Sequence, residues 1–591
     1  MDDPILRYYE AEMRYLREAG KEFAQRHPDR AKMLNLDRVG DRDPYVERLH
    51  EGFAFLTARL RQKLDDELPE LTEGLVSLLW PHYLRMIPSL SILEMLPSRE
   101  TLQQTEVVDA GVVVRSDAIG STGVRCLYRT TQPVTLQPIS LTEAMPAVRH
   151  DGRSVIRLRF DVDHSARRES LDLSTIRLYL NADLPVATAM HMALTRQVKA
   201  VTWRIAEVRD GEAVPLPDVR FLPGGFAAQD RLWPKAETAF SGYQLLLEYF
   251  TFREKFLFVD LCGLDIALLP EQAGSFELEV LLEHDYSADM RFNAENVRLF
   301  CTPIINLFEL DAEPIHVNHH DTEHRVVPAH HHGEYVEMYS VEAVESFDHG
   351  TAERHAYVPF SSFRHRGGML RHEAPERYFH TRVRQGAKGL HVTSLILGGH
   401  AWSSMLDLPE ETLSLRVTGT NGMLPRKSLR EAGINQVVGN APNVARVRHL
   451  CTPTLPVYPP VNDRFQWRVL SHLAPNFLSL MDAEVLRGAL ALYDWTDDEL
   501  NRRRLAGIRQ VTQELQERVS GGSIVRGVLI EITLDSDAFA GEGDIHLFGE
   551  LLHRFFAQYA EINLYTKLRM VCLPTGKRIT WPHSFAERSP L

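Results

Sequence analysis

At 591 residues the chain exceeds the size at which a single hydrophobic core keeps growing, so about three to five domains of roughly 100 to 150 residues are expected. Lys+Arg 66 against Asp+Glu 80 leaves a net charge of −14, which argues against generic nucleic-acid binding because phosphate contacts need a cationic surface. An apolar fraction of 44% with 25% charged residues is that of an ordinary globular protein and excludes wholesale disorder. The acidic start MDDPILRYYE has no charged-then-apolar signal pattern, and no apolar run reaches the roughly 18 residues of a membrane span. The expectation is a cytoplasmic protein with no direct membrane insertion. Cys126, Cys262, Cys301, Cys451 and Cys572 are odd in number, far apart and in no CxxC pair, so reduced thiols are expected and no zinc knuckle is signalled.

In chain order, the first predicted helix runs from Pro4 to Arg26, capped by Asp3 and stopped at His27-Pro28. Leu6, Tyr9, Met13, Leu16, Gly20 and Phe23 recur at spacings of 3 and 4, the a/d seam of a coiled coil. The seam fits two arrangements: it folds back on the next helices, or it joins an intermolecular bundle. The stretch Asp43–Ile92 then reads as two helices joined by an acidic corner, opened by an Asp43 cap and Pro44. Leu49, Phe53, Leu56, Leu60 and Leu64 form one apolar stripe, and Leu71, Leu75, Leu78 and Leu79 a second. Both stripes are read as core. Pro81 ends or kinks the second helix, and residues 1–96 are taken as an N-terminal helical region.

Residues 97–320 change texture. Runs such as VVDAGVVVRS, SVIRLRFDVD and TIRLYLNADL put β-branched residues between turn signals, predicting one or two antiparallel sandwiches with a short helical insertion near Gln244–Phe250. Within them Gly242–Leu264 is dense in aromatics, best read as core. Residues 321–374 read as a His-rich connection, and 375–460 as a second β-rich domain ending in the proline-rich strap Pro453–Pro460, the best candidate linker. In 461–591, Thr496 and Glu499 read as a capping box opening a helix through about Val519. After Gly521-Gly522, RGVLIEITLD, a helix carrying Phe548, Leu552, Phe555, Phe556 and Tyr559, and LYTKLRMVCL form a predicted β-α-β unit packed within that domain. The fold class is multidomain α+β.

Reactive constellations are absent from the pattern. His316, His319, His320, His324, His330, His331 and His332 fit no HExxH or CxxC…HxxxH template and are bracketed by turn residues, so a solvated loop is expected. No GxSxG, Walker loop or GxGxxG after a strand occurs. The acidic run Asp65-Asp66-Glu67, with Glu70, reads as surface charge at a helix corner. No catalytic residue, cofactor or metal site is expected, and the chain is not read as an enzyme. The competing reading is a cytoplasmic metal-dependent hydrolase or lyase using the His-rich segment, with the sandwiches as carbohydrate-binding appendages.

Residue order carries more than periodicity. ERLHEGFAFLTARLRQKLDDELPELTE with PHYLR, then GYQLLLEYFTFREKFLF, CTPIINLF, ETLSLRVTGTN, WRVLSHLAPNFLSL and FAGEGDIHLFGELLHRFFAQYAEIN resemble, in order, the TssF (VasA or ImpG) family of type VI secretion baseplate subunits. The resemblance spans Met1 to about Leu573. It implies a wedge protein related to contractile phage tails, with two TssF copies around one TssG and further contacts to TssK and TssE. The spike protein VgrG and the sheath would be met indirectly, and the baseplate would dock at the inner membrane through the membrane complex. On this reading Leu6, Tyr9, Met13, Leu16 and Phe23 belong to an inter-subunit helical bundle.

Overall fold

The computed structural model describes residues 81–204, 214–233, 241–265, 267, 274–317, 321–329, 335–348, 353–360, 377–385, 391–399, 411–428, 433–439, 443–460, 480–520, 523–559 and 564–585, with positions 9, 10, 12–14, 16, 48, 49, 51–59, 76 and 469. Two compact units divide the chain. One comprises Met1–Leu79 with Asp463–Leu473, the other Trp80–Asn462 with Ala474–Leu591. The fold is mixed α+β and rich in strands, as expected.

The larger unit is built on sheets whose strands come from distant parts of the chain. In the first, strand Leu90–Pro97 lies between Cys301–Ile305 and Val444–His449, with Leu127–Thr130, Val113–Ser116 and Ile434–Val438 completing six strands. Leu90–Pro97 was expected inside the helical region. Its residues LSILEM are buried at every position, so both faces of the strand are covered and no polar–apolar alternation marks it in the sequence. Its one charge, Glu94, is buried against Arg448, with Arg298 3.9 Å away.

The expected borders at residues 320 and 374 cut through another sheet. Phe308–Asp311, Ile315–Val317, Glu411–Thr420, Glu337–Asp348, Arg354–Pro359, Arg377–Gln385, His391–Gly399 and His324–Arg325 form one eight-stranded array. Val344, Tyr357, Leu395, Leu413, Leu415 and Val417 form its core. Part of the His-rich stretch is therefore sheet and not loop, with His324 buried opposite Leu395. Two antiparallel sheets occupy the intervening chain. Ile139–Val148, Ser154–Val162, Ser275–Leu282, Val198–Arg204 and Val214–Pro215 make one, with Phe160, Phe276 and Trp203 stacked at 5.0 and 5.2 Å. Val297–Leu299, Thr175–Leu180, Phe258–Cys262 and Arg220–Pro223 make the other.

Five helices position the C-terminal part. They are α1 (Leu184–Arg196), α2 (Ser241–Thr251), α3 (Ala483–Ala491), α4 (Glu499–Ala506) and α5 (Glu542–Tyr559). Helix α2 is the predicted insertion, and its aromatic surroundings are core: Tyr243, Tyr249, Phe250, Phe252, Phe256 and Phe258 are all buried. Two of the charges within that run, Glu248 and Lys255, are buried against each other. Glu248 also accepts from Gln244 at 2.9 Å and from the Leu232 amide at 3.0 Å, so the buried carboxylate is satisfied on several sides.

The predicted helix through Val519 is corrected. Asp498, not Thr496, caps α4, which ends at Ala506; Ile508–Ser520 is a strand paired antiparallel with Ser523–Asp535. The spacing of four between Val511, Leu515 and Val519 suits either period, and the long antiparallel pairing of the thirteen-residue strand decides it. The β-α-β unit holds: Ser523–Asp535 pairs parallel with Leu564–Leu573, and α5 connects them, with Phe548, Leu552, Phe555 and Phe556 buried. The strap Pro453–Pro460 is not a free linker. It runs along residues 87–90, with Val457 and Ile87 exchanging backbone bonds of 2.9 and 2.7 Å and the Thr454 amide donating to Leu90 at 2.9 Å. No helix among the described residues is long and apolar enough to cross a membrane.

Candidate assembly surfaces

In the smaller unit, the seam residues Tyr9, Met13 and Leu16 lie on the inner side of a helix, Met13 buried and the other two half-buried, while Glu10 and Arg14 face water. Leu6 and Phe23 lie outside the described residues. Residues 51–59 are helical, and here the expected stripe is overturned. Leu49, Phe53 and Leu56 are 72%, 60% and 60% exposed, while Ala54 and Ala58 are fully buried. At 100° per residue the two alanines centre roughly 150° around the helix from the stripe. Small side chains let that face approach its neighbours closely, leaving the larger apolar face uncovered. The signal was present in the sequence as Ala54 and Ala58 at a spacing of four, but four leucines and a phenylalanine outweighed it. Leu60, Leu64 and the acidic corner Asp65–Glu70 lie outside the described residues.

Chemistry is sparse elsewhere. His316 bonds Thr412 Oγ1 at 2.9 Å across a strand pair. His319, His320 and His330 to His332 lie outside the described residues, among which no three His, Cys, Asp or Glu side chains converge on a metal-sized space. All five cysteines are free thiols, with burial pushing Cys126 and Cys451 up to about 12.

The buried polar groups cluster instead where α5 meets its neighbours. Arg504 of α4 donates from Nε to Asp544 Oδ2 at 2.9 Å, with its Nη2 in ion-pair contact 2.8 Å from the same oxygen and both side chains essentially buried. Asn501 donates to the Phe250 carbonyl at 3.1 Å and accepts from Arg253 at 2.7 Å. Along α5, His546, Glu550 and His553 line one face beneath Trp581, whose indole donates to Glu550 at 3.0 Å. Burial holds His191 of α1 down at about 4, His553 at about 4 and His546 at about 3. Such groups bolt elements together, His553 reaching Ser584 Oγ at 3.0 Å.

The sequence matches the family of the type VI secretion system protein TssF over residues 1–588. The chain belongs to the TssF family. It is 31% identical to the type VI secretion system component TssF1 of Pseudomonas aeruginosa, over 98% of this chain and 97% of that protein. Its fold is similar to a chain in the cryo-electron-microscopy structure of the type VI secretion TssK-TssF-TssG baseplate subcomplex, with TM-score 0.80 and 48% identity over 92% of this chain and all of that one. A chain of the type VI secretion baseplate complex matches with TM-score 0.66 and 45% identity, over 99% of this TssF-family chain and all of that one.

Proposed function

We propose that this TssF-family chain is a structural, non-enzymatic subunit of a type VI secretion baseplate wedge, working with a TssG-family protein, a TssK-family protein and a second copy of itself. The observation that carries the reading is the likeness, at TM-score 0.80 over 92% of the chain, to a TssK-TssF-TssG subcomplex. The finer scheme is two copies around one TssG-family subunit, further contacts to TssE and indirect contacts to the VgrG spike and the sheath. The wedges would resemble those of contractile phage tails and dock at the inner membrane through the membrane complex. Polar groups buried in bolted joints suit a part that transmits force. A switch at firing would need contacts that differ between loaded and fired arrangements of the wedge.

Two patches would carry the partner contacts: the seam Leu6, Tyr9, Met13, Leu16 and Phe23, and the uncovered stripe Leu49, Phe53 and Leu56. An apolar stripe left in water is a liability that a helical partner removes. The test is co-expression with the TssG-family partner and pull-down of either protein. Leu6, Met13 and Leu16 changed together to Asp should abolish co-purification while the β-rich unit stays folded; unchanged co-purification would defeat the assignment.

A further inference from the structure

The strand Ile508–Ser520 occupies the edge of the C-terminal sheet, paired on one side with Ser523–Asp535. Ser520 pairs with Ser523 across a two-residue connection, which makes that pair hydrogen-bonded in both directions. Alternation then directs the N–H and C=O groups of the even residues 518, 516, 514 and 512 toward the hairpin partner. Those of Val511, Gln513, Leu515 and Glu517 point out of the sheet. The pairing is regular from Gln510 to Ser520, its one irregularity lying between Ile508 and Gln510, so no bulge turns this edge away. Helices α3 and α4 lie at the beginning of the strand; from Thr512 to Arg518 the side chains are exposed except for half-buried Gln516. Leu515, at the middle, is 79% exposed. Natural proteins blunt such edges with bulges, prolines or inward charges, and an open, straight edge with an apolar residue at its centre is a template for another strand.

We infer that this edge pairs antiparallel with the same edge of a second copy, about a two-fold axis through Leu515. The strand is complementary to itself in that register. Leu515 meets Leu515 of the second copy, Glu514 faces Gln516, Gln513 faces Glu517 and Thr512 faces Arg518, so each carboxylate finds an amide and no like charges stand opposite. The outward-pointing residues pair with outward-pointing residues, so the free N–H and C=O groups bond each other. Sliding the axis to residue 514 sets Glu514 against Glu514, and sliding it to 516 sets Leu515 against Glu517. A two-fold axis also closes the assembly at two copies, as an isologous contact does. The proposal rests on the part of the functional reading that gives the chain a second copy, and names the surface at which the copies meet.

The experiment uses the full-length chain co-expressed with its TssG-family partner and carrying Glu514→Cys with Gln516→Cys. In the inferred register these positions are directly opposite in a non-hydrogen-bonded pair, with Cβ atoms about 5 Å apart and within disulfide reach. Mild oxidation should give a species of twice the 67.4 kDa chain mass, lost on reduction. Gln513→Pro removes one donor from the open side while leaving the hairpin's own bonds intact, and added to the cysteine pair it should abolish that species without moving the thermal unfolding transition. Leu515→Ser should do the same. A folded cysteine pair that stays at single mass overturns the inference, as does cross-linking that survives Gln513→Pro, or a disulfide to a different protein. Cross-linking through Glu514→Cys with Arg518→Cys instead would overturn the Leu515 register. Co-purification with the TssG-family partner, scored in the same samples, reports on the baseplate reading separately.

Discussion

Gly543, the second residue of α5, offers the sharpest test of how the C-terminal unit is held. A Cβ placed there would lie 2.4 Å from the carbonyl carbon and oxygen of Thr188 and 2.6 Å from the Ala189 nitrogen, all backbone atoms of α1. Two effects of opposite sign compete in Gly543→Ala. Alanine restricts the unfolded chain and favours helix by about 0.5–1 kcal/mol. Against that, backbone cannot rotate away as a side-chain tip can, so α1 must be pushed back, and overpacking of this kind costs about 1–3 kcal/mol. The clash should win, leaving the variant less stable by about 1–2 kcal/mol. Gly488 is the control: it lies exposed within α3 with nothing within 4 Å of its would-be Cβ, so Gly488→Ala should stabilise by about 0.5–1 kcal/mol. Denaturant midpoints of the two variants, with hydrogen exchange read at the α1 amides, measure both. If Gly543→Ala matched Gly488→Ala in sign, the close α1–α5 approach would not be a packing constraint.

Three further outcomes follow from the same joints and surfaces. Asp544→Ala strands the Arg504 guanidinium in a dry site and should cost about 3–5 kcal/mol, whereas Arg504→Met with Asp544→Leu should recover most of it; a double variant as weak as the single one would refute a desolvated pair. Burial depresses His191 and His553 from their ordinary 6.5 to about 4 and His546 to about 3, so the unfolded chain binds these protons more readily than the folded one. Their contribution is whole above pH 6.5 and is lost as pH falls toward about 3–4. Across α1, α5 and the Trp581 segment they face Glu550, Arg196, Arg554 and Lys577; His191→Leu should flatten the acid limb of a stability-versus-pH curve, and an unchanged limb would discount the cluster. Replacing Leu49, Phe53 and Leu56 together with Ser should reduce capture of the TssG-family partner about tenfold while leaving the helical signal of the full chain unchanged; a loss of helical signal would return the stripe to the core of the smaller unit.

What was legible in the sequence was local. The Gly242–Leu264 aromatics, the α2 insertion and the parallel strands around α5 each announce themselves in a short window, by aromatic density or by a change of period between turn signals. What was not legible was pairing at long range. Leu90–Pro97 reads as the tail of a helical region until Cys301–Ile305 and Val444–His449 are seen on its two sides. The expected domain borders failed for the same reason, since a border is drawn where local texture changes, and strands on both sides of residues 320 and 374 share a sheet. The Leu49 stripe failed differently. Periodicity reports which face of a helix is apolar and cannot say whether the chain itself or a neighbour covers it, and here the alanine face won the interior. Residue order succeeded where periodicity could not, because the family phrases constrain identity position by position.

The placement of Leu90–Pro97 also bears on how the protein is made. A ribosome extends the chain at roughly 5–20 residues per second, so the 347 residues from Pro97 to Val444 (444 − 97) take roughly 20–70 s to appear. Until then this strand, destined for burial on both faces, lacks one of the neighbours that will flank it, and before residue 301 it lacks both. The nascent chain therefore carries this segment without its full set of partners through most of its synthesis. Shortening the chain before residue 444 leaves Leu90–Pro97 as a permanently open edge of the sheet.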